Sequence, residues 1–212
     1  MVLFFNSFLV DGESMASSQC QNVLNAIDEI NQQDPNKTVV AGEEHPKELI
    51  YGRYMTQCLL QYWSDAHELL QIAVRAQHIK RWYFARSEFP EGKQGYLTWR
   101  KELGKFHAQT TKEIMLDNGF SEEDAEKTAA IIRKEKLKTN SDSQTLEDVA
   151  CLVFLQYYFD DFARKYTEQN NEEKIIRIVQ LTWRKMSERG HEIALSLTLP
   201  DHLALLVNKA LA

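Results

Sequence analysis

The chain has 212 residues, of which 43% are hydrophobic and 26% charged, with a formal charge of −6 and a mean hydropathy of −0.45. That length suits one substantial core, and eight glycines and four prolines are too few for a collagenous or low-complexity chain. No stretch approaches the ~20 uninterrupted apolar residues of a membrane span, and the mild acidity argues against a general nucleic-acid binder.

Residues 1–10 (MVLFFNSFLV) are apolar but lack the basic start of a secretory signal, and the polar DGES follows at once. Met15 is an alternative start, or residues 1–16 form a poorly ordered N-terminal extension. From Ser17 onward apolar residues recur at three- and four-residue spacing, and almost no run alternates with period two. Helices are predicted over 18–33, 46–63, 66–84, 96–118, 122–137, 143–167, 171–188 and 200–211. Pro46 suits a first helical turn, Ser64 and Asp65 can cap the third helix, and Gly92 and Gly95 mark a loop. Gly119 sits where a helix C′ residue belongs, Ser121 with Asp124 forms a capping box, and Gly190 ends the seventh helix. The expectation is a single all-α domain, residues 17–212, of about eight helices. Cys20, Cys58 and Cys151 lie far apart among apolar residues, a pattern of reduced core thiols in a cytoplasmic protein.

Charge is unevenly spread. Residues 75–105 carry eight bases against three acids, a net +5 in a chain of −6, which leaves −11 elsewhere. Trp82, Tyr83, Phe84, Phe89, Tyr96 and Trp99 are interleaved with these bases. One reading is a solvated helix face over ordinary aromatic core; the other is a cationic, aromatic-walled pocket for a phosphorylated or nucleotide-like ligand. Glu48, His78, His107 and the pair Glu147-Asp148 each fall on a different predicted helix among apolar turns. A carboxylate entering a core there needs a partner or a metal, and helices that each deliver one inward ligand can build a metal site.

The stretch FHAQTTKEIMLDNGFSEEDAEKTAAIIRKEKL, through His107 to Leu137, resembles the middle of HD-domain metal-dependent phosphohydrolases. LLQIAVRAQHIKRW is similar to the helix carrying their His-Asp pair, and TLEDVACLVFL to the later helix carrying their final Asp. The resemblance implies an HD-like helical core with His78 and Asp148 as metal ligands and Glu48 and His107 as further candidates. Here Gln77-His78 stands in place of His-Asp, Glu48 in place of the first His, and Lys134 or Lys136 where a late His is sometimes found. A divalent Fe, Mn, Zn or Ni ion in such an altered site would polarise a phosphoryl oxygen and lower the pKa of a bound water toward ~7. Arg81, Arg86, Arg100 and Lys185 would then hold the phosphate of a small phosphorylated ligand. Trp82, Tyr96 or Trp99 would stack on a base, and Glu147 would act as general base or orient a His.

From about Asn25 the segments IDEINQQDPN, AQHIKRW, GYLTWR, KFHAQ, LEDVACLVFL and TWRKMS resemble, in this order, a family of unknown function. Its members are sometimes labelled glutamyl-tRNA synthetase-like. Lys185-Met186-Ser187 is similar to the start of a KMSKS loop, but Glu188-Arg189 follow and no HIGH-type partner occurs. The only Glu-x-x-His, Glu188 to His191, is interrupted by Gly190, and no phosphate-loop, dinucleotide, esterase or zincin motif is present. Two functions follow: a metal-dependent phosphohydrolase with an altered site, or a non-catalytic helical module that binds an anionic ligand or protein partner through 75–105. In the second, His78, Glu147 and Asp148 form a buried polar network with Arg81, Arg100 or Lys185.

Overall fold

The computed structural model describes residues 17–137 and 139–212, so the expectations for residues 1–16 lie outside the described residues. The fold is all-α apart from one small hairpin, and its buried side chains form one continuous core. None of the described helices is long and apolar enough to cross a membrane.

Helix α1 (Ser18–Asn31) starts where the Ser17 hydroxyl accepts from the Cys20 N–H, and it buries Cys20, Val23, Leu24 and Ile27 on one face. Strands β1 (Lys37–Val40) and β2 (Glu43–Pro46) pair antiparallel across Ala41-Gly42, whose φ values are 53° and 88°. Two consecutive positive φ angles make the tight hairpin turn that matches strand twist; the period-two signal is too short to announce it. Buried Asp34 ties this hairpin to helix α2 (Lys47–Tyr62), accepting the Asn36 N–H on Oδ1 and the Glu48 N–H on Oδ2, each at 2.9 Å.

Helix α3 (Glu68–Ala76) is the central element, apolar on most of its surface and packed against α1 and α2 as well as three later helices. Its N-cap is His67, which displaces the expected Ser64 and Asp65. It also ends well short of residue 84. Lys80 takes a left-handed conformation, its N–H is taken by the Asn31 side chain at 2.9 Å, and short 3₁₀ turns at Arg81–Tyr83 and Arg86–Glu88 follow.

Helix α4 (Gly92–Asp117) begins earlier than expected because Gly95 is inside it. A Cβ at Gly95 would stand 1.7 Å from the Pro90 carbonyl oxygen, so only glycine lets the chain fold back there. Gly119 (φ 83°) closes α4, and Ser121 caps α5 (Glu122–Ile132) as its sequence predicts. Helix α6 (Ser141–Val153), capped by Asn140, continues through a π-type segment at Phe154–Tyr158 into α7 (Phe159–Glu168). The extra residue turns Tyr157 onto Tyr54 and Tyr158 toward Tyr51. Helices α8 (Glu172–Trp183), α9 (Glu188–Ser196) and α10 (Asp201–Leu211) complete the chain. Gly190 does not terminate a helix but lies in the first turn of α9, because the Ser187 hydroxyl accepts its N–H and starts a new helix.

Candidate functional site

A cavity of about 500 Å³ opens between the end of α3, one face of α4 and the turn after α5. Arg81, Arg100, Lys101, Lys105, Arg133 and Lys134 line it, against the single carboxylate Glu135, together with the rings of His78 and His107. Leu97, Arg100, Lys101 and Gly104 follow one another at helical i, i+3, i+4, i+7 spacing, so one stripe of α4 faces the cavity. Lys105 is paired with Glu102, Arg133 with Glu126 and Glu135, and Lys134 with Glu147, so the charge that favours an anion here comes chiefly from Arg100, Lys101 and Arg81.

The wall is built from a chain of contacts. Glu48, in the first turn of α2, is buried and places Oε2 3.2 Å from Nδ1 of His78. Arg81 Nη1 lies 2.7 Å from the other His78 nitrogen, Nε2. A guanidinium only donates, so Nε2 accepts and the proton sits on Nδ1, donated to Glu48. The Tyr51 ring stacks on His78 at 4.1 Å, and the Arg81 guanidinium lies over the Trp99 ring at 5.0 Å. Burial, seconded by Arg81, keeps His78 well below the usual imidazole range, in accord with a neutral acceptor. Burial also raises the Glu48 pKa, against the pull of Arg81.

His107, from the middle of α4, is 3% exposed and donates Nδ1–H to the Ile79 carbonyl at 2.7 Å. Its Nε2 is buried and has no hydrogen-bond partner among the described residues. Burial, reinforced by His78, pushes its pKa down to about 3, so the ring is neutral and Nε2 carries a lone pair. Behind the cavity, Lys134 pairs with Glu147 of α6, and Lys185 Nζ approaches the other Glu147 oxygen at 3.5 Å. Burial works against the Glu147 carboxylate, but the two lysines outweigh it and hold its pKa low, while burial lowers that of Lys134.

The sequence-predicted residues divide accordingly. Glu48, His78, His107, Arg81 and Arg100 meet at the cavity or its wall, and Glu147 and Lys185 reach it through Lys134. Asp148 is spent elsewhere: its Oδ1 accepts from Ser187 N–H at 2.8 Å and from Gln144 at 3.0 Å, and it lines a separate cavity with Trp63, His67 and Asp142. Arg86 ties its own loop, donating to the Phe89 and Pro90 carbonyls at 2.9 Å. Trp82 and Tyr96 do not line the cavity, and Trp99 acts from behind, through Arg81. Among the described residues no group of three or more His, Cys, Asp or Glu side chains is placed to hold a metal ion.

Lys101, Lys105 and Arg133 are additions, as is Lys134 in the role of a lining cation. The stripe from Leu97 to Gly104 was legible as helical spacing; Lys134 was not, because it stands in a turn with φ 56°.

The family of this all-α chain is shown by its sequence. Residues 21–207 match the family described as a domain of unknown function, DUF4202, and the chain is a member of it. No curated protein and no solved structure matches the chain.

Proposed function

We propose that the protein binds a small phosphorylated ligand, a nucleotide or another phosphoester, in the cavity bounded by α3, α4 and the turn after α5. The observation that carries this is the lining: six cations to one carboxylate around about 500 Å³, a volume typical of small-molecule sites. Arg100 and Lys101 have no carboxylate partner among the described residues, so their charge is available to a ligand. Arg81 is already oriented by His78, and a pre-oriented guanidinium loses little freedom on binding phosphate. The chain order Glu48, His78, His107, Lys134 and Asp148 follows the likeness to the HD-type helical core, with Lys134 where that family sometimes carries a late His, but Asp148 lies away from the cavity. Three buried, unpaired thiols, with burial raising their pKa values to about 11 for Cys20 and about 12 for Cys58 and Cys151, support a place in the reducing cytoplasm.

A thermal-shift and calorimetric screen of nucleoside monophosphates and small phosphoesters tests this reading. A ligand at a hundred times its Kd adds about 2.7 kcal/mol of stability, and Arg100→Ala with Lys101→Ala is expected to remove that gain. Absence of stabilisation by any phosphoester would overturn it.

Metal-dependent hydrolysis of the phosphoester is the second reading, favoured by one observation. A His whose Nδ1–H is held by a carbonyl and whose Nε2 has no partner, as in His107, is the usual state of a metal-ligating imidazole before the metal binds. The remaining donors do not suit a divalent ion. His78 has both nitrogens engaged, one by a guanidinium, and Glu147 has two ammonium partners. Stoichiometric Fe, Mn, Zn or Ni after reconstitution, lost in His107→Ala, together with phosphate release, would establish hydrolysis. A metal-free protein that still binds phosphoesters would leave the binding module.

A further inference from the structure

The cavity offers a ligand many donors and very few acceptors. Arg81, Arg100, Lys101, Lys105, Arg133 and Lys134 can only donate. The side-chain oxygen Oε1 of Gln77 already accepts from the Tyr51 hydroxyl at 3.1 Å, and Nε2 of His78 accepts from Arg81. Glu135 is paired with Arg133 at 2.6 Å. The second oxygen of Glu135 still accepts, at the exposed rim, but the buried side-chain acceptor without a partner is Nε2 of His107. Its acceptor character is fixed, because the Ile79 carbonyl cannot donate and so must receive the ring's one proton on Nδ1. The atom is buried and has no partner among the described residues, and an unsatisfied buried acceptor costs about 1–3 kcal/mol. A site that leaves such an atom open gains when a ligand satisfies it, and it rejects an analogue that cannot.

We propose that His107 is the specificity-determining residue of this cavity, and that the ligand is a phosphorylated compound carrying a hydroxyl or N–H donor, of the sugar-phosphate, polyol-phosphate or nucleotide class. This rests on the reading of the cavity as a phosphate site. The phosphate would meet the cations, and the donor would meet the His107 ring, which lines the cavity wall. The cavity has room for both groups, where a bare phosphate would satisfy only the first.

Three probes test the inference on the full chain: inorganic phosphate, propyl phosphate and glycerol 3-phosphate, the last two matched in carbon number but differing in hydroxyls. Glycerol 3-phosphate is expected to bind about tenfold more tightly than propyl phosphate. In His107→Leu it should fall to the level of propyl phosphate, and in His107→Gln, whose amide oxygen can accept, part of the preference should survive. Equal affinity of the two esters for the wild-type chain, or a preference that persists in His107→Leu, would overturn the inference while leaving the phosphate reading standing. Failure of all three probes and of the nucleoside monophosphates to bind would overturn both. If His107→Leu does not fold by circular dichroism, the wild-type comparison of the two esters still decides.

Discussion

Arg81 and His78 fix one another: the guanidinium donates to Nε2 at 2.7 Å, and that contact places the imidazole proton on Nδ1, facing Glu48. The pair presents Arg81 to the cavity in a defined orientation, against the face of Trp99. Arg81→Ala should therefore weaken phosphoester binding by tenfold or more. Arg81→Lys should restore little, because a point ammonium on a flexible stem cannot reproduce the fork that meets His78 and the ring. Isothermal titration measures the affinities. The ¹⁵N shifts of His78 report the tautomer, whose Nδ1–H form should weaken in Arg81→Ala but persist in part, because Glu48 still accepts from Nδ1.

Half-buried Lys134 and buried Glu147 form an ion pair beside the same cavity. Lys134→Met leaves the buried Glu147 carboxylate with Lys185 alone, so it should destabilise the fold by about 1–3 kcal/mol. The double variant Lys134→Met with Glu147→Leu should recover much of that loss, because no buried charge is then stranded. Urea unfolding of the two single variants and the double gives the coupling energy. Additive losses would show that the pair contributes nothing as a pair.

Stability should fall on acidification. The His107 imidazole protonates near 6.5 when unfolded but only at about 3 in the fold, so between those values the unfolded chain binds the extra proton. The contribution is complete above about pH 6.5 and is lost as pH drops from there towards 3. His78, also held low beside Glu48 and Arg81, acts in the same direction, as does Glu147 below its ordinary range. Glu48, whose pKa is raised, opposes them, since its folded form holds a proton that the unfolded chain has released. Melting curves should show a loss of about 2 kcal/mol or more between pH 7 and pH 5, and a shallower one in His107→Gln.

Asp148 separates stability from ligand binding. Its carboxylate receives the Ser187 N–H, the Ser187 hydroxyl and Gln144 at the start of α9. A Cβ at Gly190 would approach Oδ1 to 2.8 Å. Asp148→Ala should cost about 1–3 kcal/mol through the lost contacts, and Gly190→Ala should also destabilise by crowding the same carboxylate. Asp148→Ala should leave the affinity for phosphoesters unaltered. A loss of binding or of metal in a folded Asp148→Ala protein would instead place it in the site.

Adjacent residues explain what could and could not be read in advance. Glu147 and Asp148 were both suspect from the apolar turns around them, yet they point about 100° apart on α6. Glu147 meets Lys134 near the cavity; Asp148 meets Ser187 at another one. Helical periodicity could not choose between them, because either register keeps an apolar face. The end of α3 was likewise hidden, since Asn31, which takes the Lys80 N–H, is far away in sequence.

Local chemistry by itself determined that this chain is helical, where Ser121 and Gly119 punctuate it, and that its positive charge gathers between Arg75 and Lys105, because capping, periodicity and net charge need only neighbouring residues. The tertiary structure alone decided that Lys134 and Arg133, beyond that segment, close the same cavity, that Arg86 turns away from it, and that His107 keeps one nitrogen free. Each of those outcomes depends on which distant backbone carbonyl or carboxylate a side chain meets, and that is set by how the helices pack.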